Sequence, residues 1–232
     1  MTGPIDIVYE DNWLIVVNKP NNVLVHHSYY ARNIEDDSLL QLLKKGLGLT
    51  FYPINRLDRK TSGIVLLAKE KEYVSLFQEL FENQKIKKIY HALVRGHVMD
   101  KMVIDSPVKN ERGNYKEALS KVHPMAYYNL NIPVEPYPTS RYTLLEMTPI
   151  TGRTHQLRIH ANKIAHPIIG DHKYGNRHHN RMFEEEFKLP NLFLHSKSTE
   201  FIHPFTNEKI ELHAQLPEFW SRCFENFETF KV

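Results

Sequence analysis

The run of five apolar residues at positions 64–68, IVLLA, most constrains what this 232-residue chain can fold into. No polar residue interrupts it, which is typical of a β-strand buried on both faces rather than on one. Residues 69–83 follow with apolar side chains at helical spacing, which predicts a helix directly after the strand. The chain should therefore build a sheet that is covered on each side.

Strands outnumber helices in the rest of the sequence, and they do not alternate regularly with them. Residues 5–18 predict a hairpin that turns at 10–12. Five prolines between positions 100 and 140 predict an irregular surface stretch with short strands. The predicted fold is α+β, a mixed and mainly antiparallel sheet flanked by helices, in one domain over residues 1–232. Further strands are predicted at 89–94, 141–147, 192–195 and 199–213 (turning at 204–207), and further helices at 38–45, 154–165 and 216–227.

Composition narrows the class of protein. Hydrophobic residues make up 41% of the chain, enough to bury a core, which excludes a disordered chain. No apolar run reaches the roughly 18 residues of a membrane span, and the acidic N-terminus does not resemble a secretion signal. Cys223 is the single cysteine, so no internal disulfide can form. We expect a cytoplasmic protein without a membrane partner. The net charge of +3 is only a weak indication of a polyanionic partner.

The segment NRLDRKTSG at positions 55–63 leads into the predicted buried strand. Asp58 stands between Arg56 and Arg59 in a turn, and a turn ahead of a buried strand is a rigid mount for a reactive carboxylate. The alternative for an isolated string of this kind is a surface salt bridge of little energetic value.

Two other segments carry clustered polar groups. In TGRTHQLRIH at 151–160, Thr151 or Thr154 is expected to cap a helix whose start would present Arg, His and Gln to phosphates or base edges. In KKIYHALVRG at 87–96, strand alternation places Tyr90 on the side of the apolar residues, facing the core or a cleft. The alternatives are a solvated helix face and an ordinary core tyrosine.

The histidines and the missing cofactor motifs bear on the reaction class. Nine of the 14 histidines lie between positions 155 and 213, but without a metal-ligand spacing, so no metal site is expected. Phosphate-binding loop, dinucleotide-binding and serine-hydrolase motifs do not occur in the sequence. We therefore expect no cofactor and no nucleotide-driven chemistry.

These three segments, in this order, resemble the motifs of the RluA-type pseudouridine synthases. The first matches the family pattern His-Arg-Leu-Asp-x-x-Thr-Ser-Gly followed by an apolar strand and Ala-Lys, except that Asn55 stands in place of the usual His. The resemblance extends to residues 88–96, 152–160 and 166–175, to the opening VYEDNWLIVVNKP at 8–20 and to HPFTNE at 203–208. It covers nearly the whole chain and outweighs the alternative interpretations of the separate segments.

The resemblance implies the pseudouridine synthase fold and the isomerisation of a uridine that is flipped out of its RNA stack. It implies catalytic roles for Asp58 as nucleophile or proton acceptor, Arg153 as its ion-pair partner, and Tyr90 against the uracil ring. Arg56 is expected to enter the stack in place of the flipped base. The other expected RNA contacts are Arg59, Lys87, Lys88, Arg95, His155, Arg158, Lys173 and Arg177.

Within the family, residues 137–142 and 180–187 resemble the branch that modifies uridine 65 of tRNA. The chain is expected to hold the catalytic domain without the additional S4-type RNA-binding domain, and to act as a monomer on tRNA. The alternatives are the same reaction on ribosomal RNA, a non-catalytic RNA-binding or folding factor, and, more distantly, a metal hydrolase.

Overall fold

The structure is a computed structural model that describes residues 5–27, 35–110 and 112–232. The chain divides into two compact units. The first comprises Met1–Lys88 and Ser196–Gln215, and the second comprises Ile89–His195 and Leu216–Val232. Position 111, which belongs to the stretch predicted as irregular, lies outside the described residues.

The first unit is built on a sheet with the strand order β1-β2-β4-β11, in which β12 pairs with β11 and β3 with β4. The pairs β1–β2, β2–β4, β3–β4 and β11–β12 are antiparallel. All seven residues of β4 are buried. Leu66 packs in an apolar cluster with Phe77 of α2, and Leu67 packs in a second cluster with Leu39 of α1. The prediction of a strand buried on both faces is confirmed. The elements of this unit are β1 (Asp6–Glu10), β2 (Leu14–Lys19), α1 (Leu39–Leu47), β3 (Tyr52–Pro53), β4 (Ser62–Ala68), α2 (Val74–Glu82), β11 (Leu194–Ile202, here from Ser196) and β12 (Lys209–His213).

The second unit contains a sheet with the order β5-β10-β9-β6, in which each neighbouring pair is antiparallel, and a small antiparallel hairpin of β7 with β8. Three helices pack on it around a core rich in aromatic side chains, including Phe183 of α4 and Trp220 and Phe227 of α5. The predicted α+β class is confirmed. The elements are β5 (Lys87–Arg95, here from Ile89), β6 (Met102–Asp105), β7 (Val108–Lys109), β8 (Tyr115–Lys116), β9 (Leu119–Leu130), β10 (Ser140–Pro149), α3 (Gln156–Lys163), α4 (Arg177–Glu186) and α5 (Glu218–Thr229).

The expectation for residues 100–140 was wrong in one respect. The stretch contains β9, a strand of 12 residues that pairs with β10 on one side and β6 on the other. Pro124 is tolerated inside it because the register with β10 shifts between Leu144 and Leu145, opposite this proline. A β-bulge releases the ladder hydrogen bond that proline cannot donate.

The start of α3 also differs from the prediction. The helix begins at Gln156, and neither Thr151 nor Thr154 is its N-cap; His155 occupies that position with φ +55°. Instead, the Gln156 side-chain oxygen accepts hydrogen bonds from the backbone N–H of Arg153 and the Thr151 hydroxyl. Helix α4 was not predicted, and within the described residues no helix is long and apolar enough to cross a membrane.

Candidate active site

Asp58 lies in a tight turn immediately before β4. Its backbone carbonyl accepts a hydrogen bond from the Thr61 N–H at 3.1 Å, and its side chain is half-buried. Asn55 ties the start of this segment to the strand, because its side-chain oxygen accepts from the Leu66 N–H at 2.8 Å. The asparagine that departs from the family pattern therefore has a structural role, since it fixes the turn that carries Asp58.

Lys19, at the end of β2, holds the Asp58 turn in place through hydrogen bonds. Its side chain is fully buried, and Nζ donates to the carbonyls of Pro20 and Val23, both at 2.8 Å, and of Arg59 at 3.0 Å. Asn21 adds a hydrogen bond to the Lys60 carbonyl. The segments 20–23 and 58–60 are thus bound to each other by buried donors, which makes the turn a rigid mount for a carboxylate. Sequence reasoning missed Lys19, although a lysine just before a proline break was visible.

Burial lowers the pKa of Lys19 from 10.5 to about 7; the Asp58 carboxylate opposes this shift and the Arg59 guanidinium adds to it. Desolvation penalises the charged ammonium, while three carbonyl acceptors match its three N–H donors. The protonation state of the Lys19 side chain therefore affects the hydrogen bonds that hold the Asp58 turn.

This shift predicts a pH dependence of stability. In the unfolded chain a lysine keeps its proton up to its ordinary pKa of 10.5, whereas folded Lys19 releases it near 7. Between these values the unfolded state binds more protons, so the free energy of unfolding should rise with pH. Urea midpoints measured from pH 6 to 10 should rise more steeply for the wild type than for Lys19→Met. The exposed Lys44→Met is the control, and parallel curves for wild type and Lys19→Met would contradict the shift.

Arg153 is held at the surface of the second unit. Its Nε donates to the Glu117 carbonyl at 3.0 Å, and its backbone N–H donates to the Gln156 side chain at 3.0 Å. Gln156 is buried, and its amide nitrogen donates to the Leu119 carbonyl and the Ser120 hydroxyl, both at 2.9 Å. One buried amide therefore fixes the loop that presents Arg153 against the start of β9.

Tyr90 lies on β5, paired with Met147 of β10, and is half-buried against the core of the second unit. Its position agrees with the predicted strand face. The residue is partly buried, so it is both a core contact and a surface group.

Three of the predicted RNA contacts converge on Tyr174. His155 Nδ1 lies 3.1 Å from the Tyr174 hydroxyl, while Arg158 and Lys173 lie 5.2 and 5.3 Å from its ring centroid. Arg158 also forms a two-pronged ion pair with the buried Asp171, at 2.7 and 2.8 Å. Burial raises the pKa of Asp171, but the Arg158 guanidinium and two backbone N–H groups outweigh it and hold that pKa below its usual value. Arg158 thus has a structural partner, whatever else it binds.

The remaining predicted contacts are scattered. Lys88 lies over the Phe81 ring at 5.5 Å, and burial lowers its pKa. Lys87 is exposed on β5, and Arg177 is exposed at the start of α4. Arg56 and Arg59 belong to the Asp58 turn, whereas Arg95 lies at the far end of β5. Among the described residues, no group of three His, Cys, Asp or Glu side chains could hold a metal ion.

Comparisons with known proteins show what this chain is similar to. The family model described as RNA pseudouridylate synthase matches residues 13–163. The tRNA pseudouridine synthase C of Haemophilus influenzae is 38% identical over 234 residues, covering 96% of this chain and 98% of the relative. The protein of that name in Vibrio cholerae is also 38% identical, with 96% of each chain covered.

Two solved structures are similar in fold. Human RNA Pseudouridylate Synthase Domain Containing 1 matches with a TM-score of 0.72 at 24% identity, over 92% of this chain and 84% of that one. Human RNA Pseudouridylate Synthase Domain Containing 4 matches with a TM-score of 0.72 at 23% identity, over 96% and 93%.

Proposed function

The chain belongs to the RNA pseudouridylate synthase family, and from this premise we propose that it converts one uridine of a tRNA, at position 65, to pseudouridine. The relatives named tRNA pseudouridine synthase C, 38% identical over almost the full length of both chains, support tRNA as the substrate. We place the reaction in the cytoplasm and expect a monomer without a cofactor.

The reaction is an isomerisation. The bond between N1 of uracil and C1′ of ribose breaks, the base turns, and C5 forms a new bond to C1′. The proton that leaves C5 is balanced by the one gained at N1, so neither an oxidant, a reductant nor net water is consumed. What the protein must supply is a positioned base or nucleophile, and a place for a base that has left its stack.

The single observation that carries the assignment of Asp58 is the fixed turn in which it sits. Lys19 and Asn55 anchor both sides of this turn to buried backbone, while the carboxylate itself stays half-exposed. A carboxylate that is held rigid and remains reachable is suited to attack the nucleotide or to accept its proton.

Tyr90 and Arg153 are proposed as the other catalytic residues. Tyr90 is only partly buried, so its ring is suited to stack on uracil and its hydroxyl to take the C5 proton. The exposed guanidinium of Arg153 is suited to pair with the Asp58 carboxylate and so to keep it charged and oriented. Replacing Tyr90 by phenylalanine should stop the reaction after base rotation; full turnover would refute the proton-transfer role.

Arg56 is proposed to fill the RNA stack after flipping. It is exposed and lies two residues before Asp58, in the segment that leads into the Asp58 turn. A fluorescent uridine analogue at the target position would report flipping directly. Arg56→Ala should lower that signal more than it lowers affinity, and equal losses would make Arg56 only a phosphate contact.

The substrate is tested by incubating the protein with unmodified tRNA transcripts and mapping pseudouridine at each position. We expect conversion of one uridine, at position 65, and none with Asp58→Ala. Fragments of ribosomal RNA carrying stem-loops form the parallel arm. Conversion of these with unchanged tRNA would overturn the tRNA assignment, and no conversion of either would overturn the proposed activity.

A further inference from the structure

The side chains of Ser120, Gln156 and His160 form a buried polar network in the second unit. None of these residues is more than 3% exposed. Ser120 lies on β9, whereas Gln156 and His160 lie on α3, so hydrogen bonds within the network join the helix to the sheet. Polar groups at this depth are stable only when each has a partner. We call this set of side chains the His160 network.

The Ser106 carbonyl fixes the state of the His160 ring. His160 Nε2 lies 2.8 Å from this carbonyl oxygen, which can only accept, so Nε2 carries a proton and donates it. Burial lowers the pKa of His160, and the hydrogen bond to Ser106 opposes this shift. Lys163 lowers the pKa further, while Asp105 raises it. The ring is therefore neutral at neutral pH, and its Nδ1 is an acceptor.

The sense of the next hydrogen bonds follows from this tautomer. Ser120 Oγ lies 3.0 Å from His160 Nδ1 and donates its only proton to it. The Ser120 oxygen is then an acceptor for Gln156, whose amide nitrogen donates to it at 2.9 Å. The other proton of this amide goes to the Leu119 carbonyl, also at 2.9 Å. Both protons of the Gln156 amide are therefore bound inside the protein.

The other end of the His160 network reaches Arg153. The Gln156 amide oxygen accepts from the Arg153 N–H at 3.0 Å and from the Thr151 hydroxyl at 2.7 Å. The Thr151 hydroxyl in turn accepts from the Leu119 N–H at 3.0 Å. A flipped amide would place its nitrogen against the Arg153 N–H, with two donors facing each other, so only one orientation satisfies every group. Through Gln156, the loop that carries Arg153 is thus tied to the buried His160 ring.

We propose that Ser120 and His160 are positioning residues for Arg153, and that they act through Gln156 to hold the Arg153 loop in the geometry that the reaction needs. The inference rests on the proposed function, in which Arg153 is a catalytic residue, and deepens it. Ser120 and His160 are both 0% exposed, so they do not contact RNA themselves. Neither is among the catalytic residues or RNA contacts that the sequence predicts.

The first test compares Ser120→Ala with Thr143→Ala. Thr143 is an equally buried residue of the second unit, and its hydroxyl bonds with Gly96 and Val98, outside the His160 network. Both substitutions should lower the urea midpoint of unfolding. Only Ser120→Ala should also lower the single-turnover rate at saturating tRNA, on the order of tenfold, with the half-saturating tRNA concentration unchanged.

The rates are measured well below the unfolding transition of each variant, so that loss of folded protein does not contribute. A rate for Ser120→Ala within about twofold of the wild type would overturn the proposal. Equal losses of rate for Ser120→Ala and Thr143→Ala would also overturn it, because the effect would then follow from any buried hydroxyl of this unit.

Two variants of His160 separate its two hydrogen bonds. The short amide of His160→Asn reaches the position of Nδ1 and keeps an acceptor for Ser120. The longer amide of His160→Gln reaches the position of Nε2 and keeps the donor to Ser106. The asparagine variant should recover most of the wild-type rate, whereas the glutamine variant should lose rate as Ser120→Ala does. Equal rates or the reverse order would contradict the route through Ser120.

Combination with Arg153→Ala identifies the residue on which the network acts. Once the Arg153 side chain is absent, Ser120→Ala should cost no further rate, because its effect passes through that side chain. Additive losses in the double variant would mean that Ser120 acts elsewhere and would overturn the proposal.

Hydrogen exchange followed by NMR separates this inference from the proposed function, because it requires no activity. The Arg153 N–H should exchange on the order of tenfold faster in Ser120→Ala than in the wild type, and at the wild-type rate in Thr143→Ala. Unchanged exchange in Ser120→Ala would overturn the inference. Full turnover by Arg153→Ala, or no conversion of tRNA by the wild type, would overturn the proposed function instead, and the exchange rates would still decide whether the network holds the loop.

Discussion

Asp58→Ala should lose pseudouridine formation on tRNA by a factor on the order of 10⁴ or more, with tRNA affinity changed only a few fold. Removing a nucleophile removes the reaction path itself, whereas the RNA contacts are spread over other side chains. The rate is measured under single-turnover conditions with protein in excess, so that product release does not mask the chemical step.

Asp58→Glu sharpens this experiment. The longer side chain keeps the carboxylate but displaces it by about one methylene, and a displacement of about 1 Å at a rigid site costs on the order of 10²-fold in rate. Asp6→Ala removes an exposed carboxylate of the same unit and should leave the rate unchanged. Turnover by Asp58→Ala within tenfold of wild type would exclude the nucleophile role.

Gly63→Ala should destabilise the protein by roughly 3–5 kcal/mol, combining backbone strain and overpacking. Gly63 has φ +110°, a conformation that L side chains rarely adopt, and a Cβ there would lie 2.2 Å from the Ser196 carbonyl oxygen of β11. Because that neighbour is backbone in the middle of a sheet, it cannot move aside. The sheet therefore requires a glycine at this position of the Thr-Ser-Gly motif.

The matched control is Gly46→Ala. Gly46 lies in α1, where an added Cβ would have no neighbouring atom within 4 Å, and alanine favours a helix by about 1 kcal/mol over glycine. Urea unfolding should show a large fall of the midpoint for Gly63→Ala and no fall for Gly46→Ala. If Gly63→Ala does not accumulate as soluble protein while Gly46→Ala does, the prediction also holds; equal midpoints would refute it.

Local patterns predicted much of the fold because they carry their own physical signal. The hairpin of β1 and β2, α1 with its start at Ser38, β4 and the closing helix α5 all follow from periodicity, caps and turn residues. By sequence alone, either Gly46 or Gly48 could end α1, because glycine favours the end of a helix. The structure ends it at Gly48, which adopts φ +72°. Even here, a backbone conformation decided between two equal candidates.

The prediction was wrong where the pairing of strands outweighs the local preference of proline for a break in the strand. Pro124 marks a break in the sequence, but β9 runs through it because two neighbouring strands and a bulge accommodate the missing N–H. A similar limit applies to α3, whose first turn is closed by the side chain of Gln156 rather than by a threonine. The strand depends on partners far away in the sequence, and the Gln156 side chain is itself held by the distant Leu119 and Ser120.

The sequence by itself determined the buried strand, the order of the three motifs and the candidate roles of Asp58, Tyr90 and Arg153. The strand follows from the apolar pattern and the motif order from the sequence itself, whereas the candidate roles follow from the resemblance of the motifs to the RluA-type synthases. Only the tertiary structure decided that Lys19 holds the Asp58 turn and that Arg158 is paired with Asp171. The physical reason is that these depend on burial and on contacts between distant segments, which no local pattern encodes.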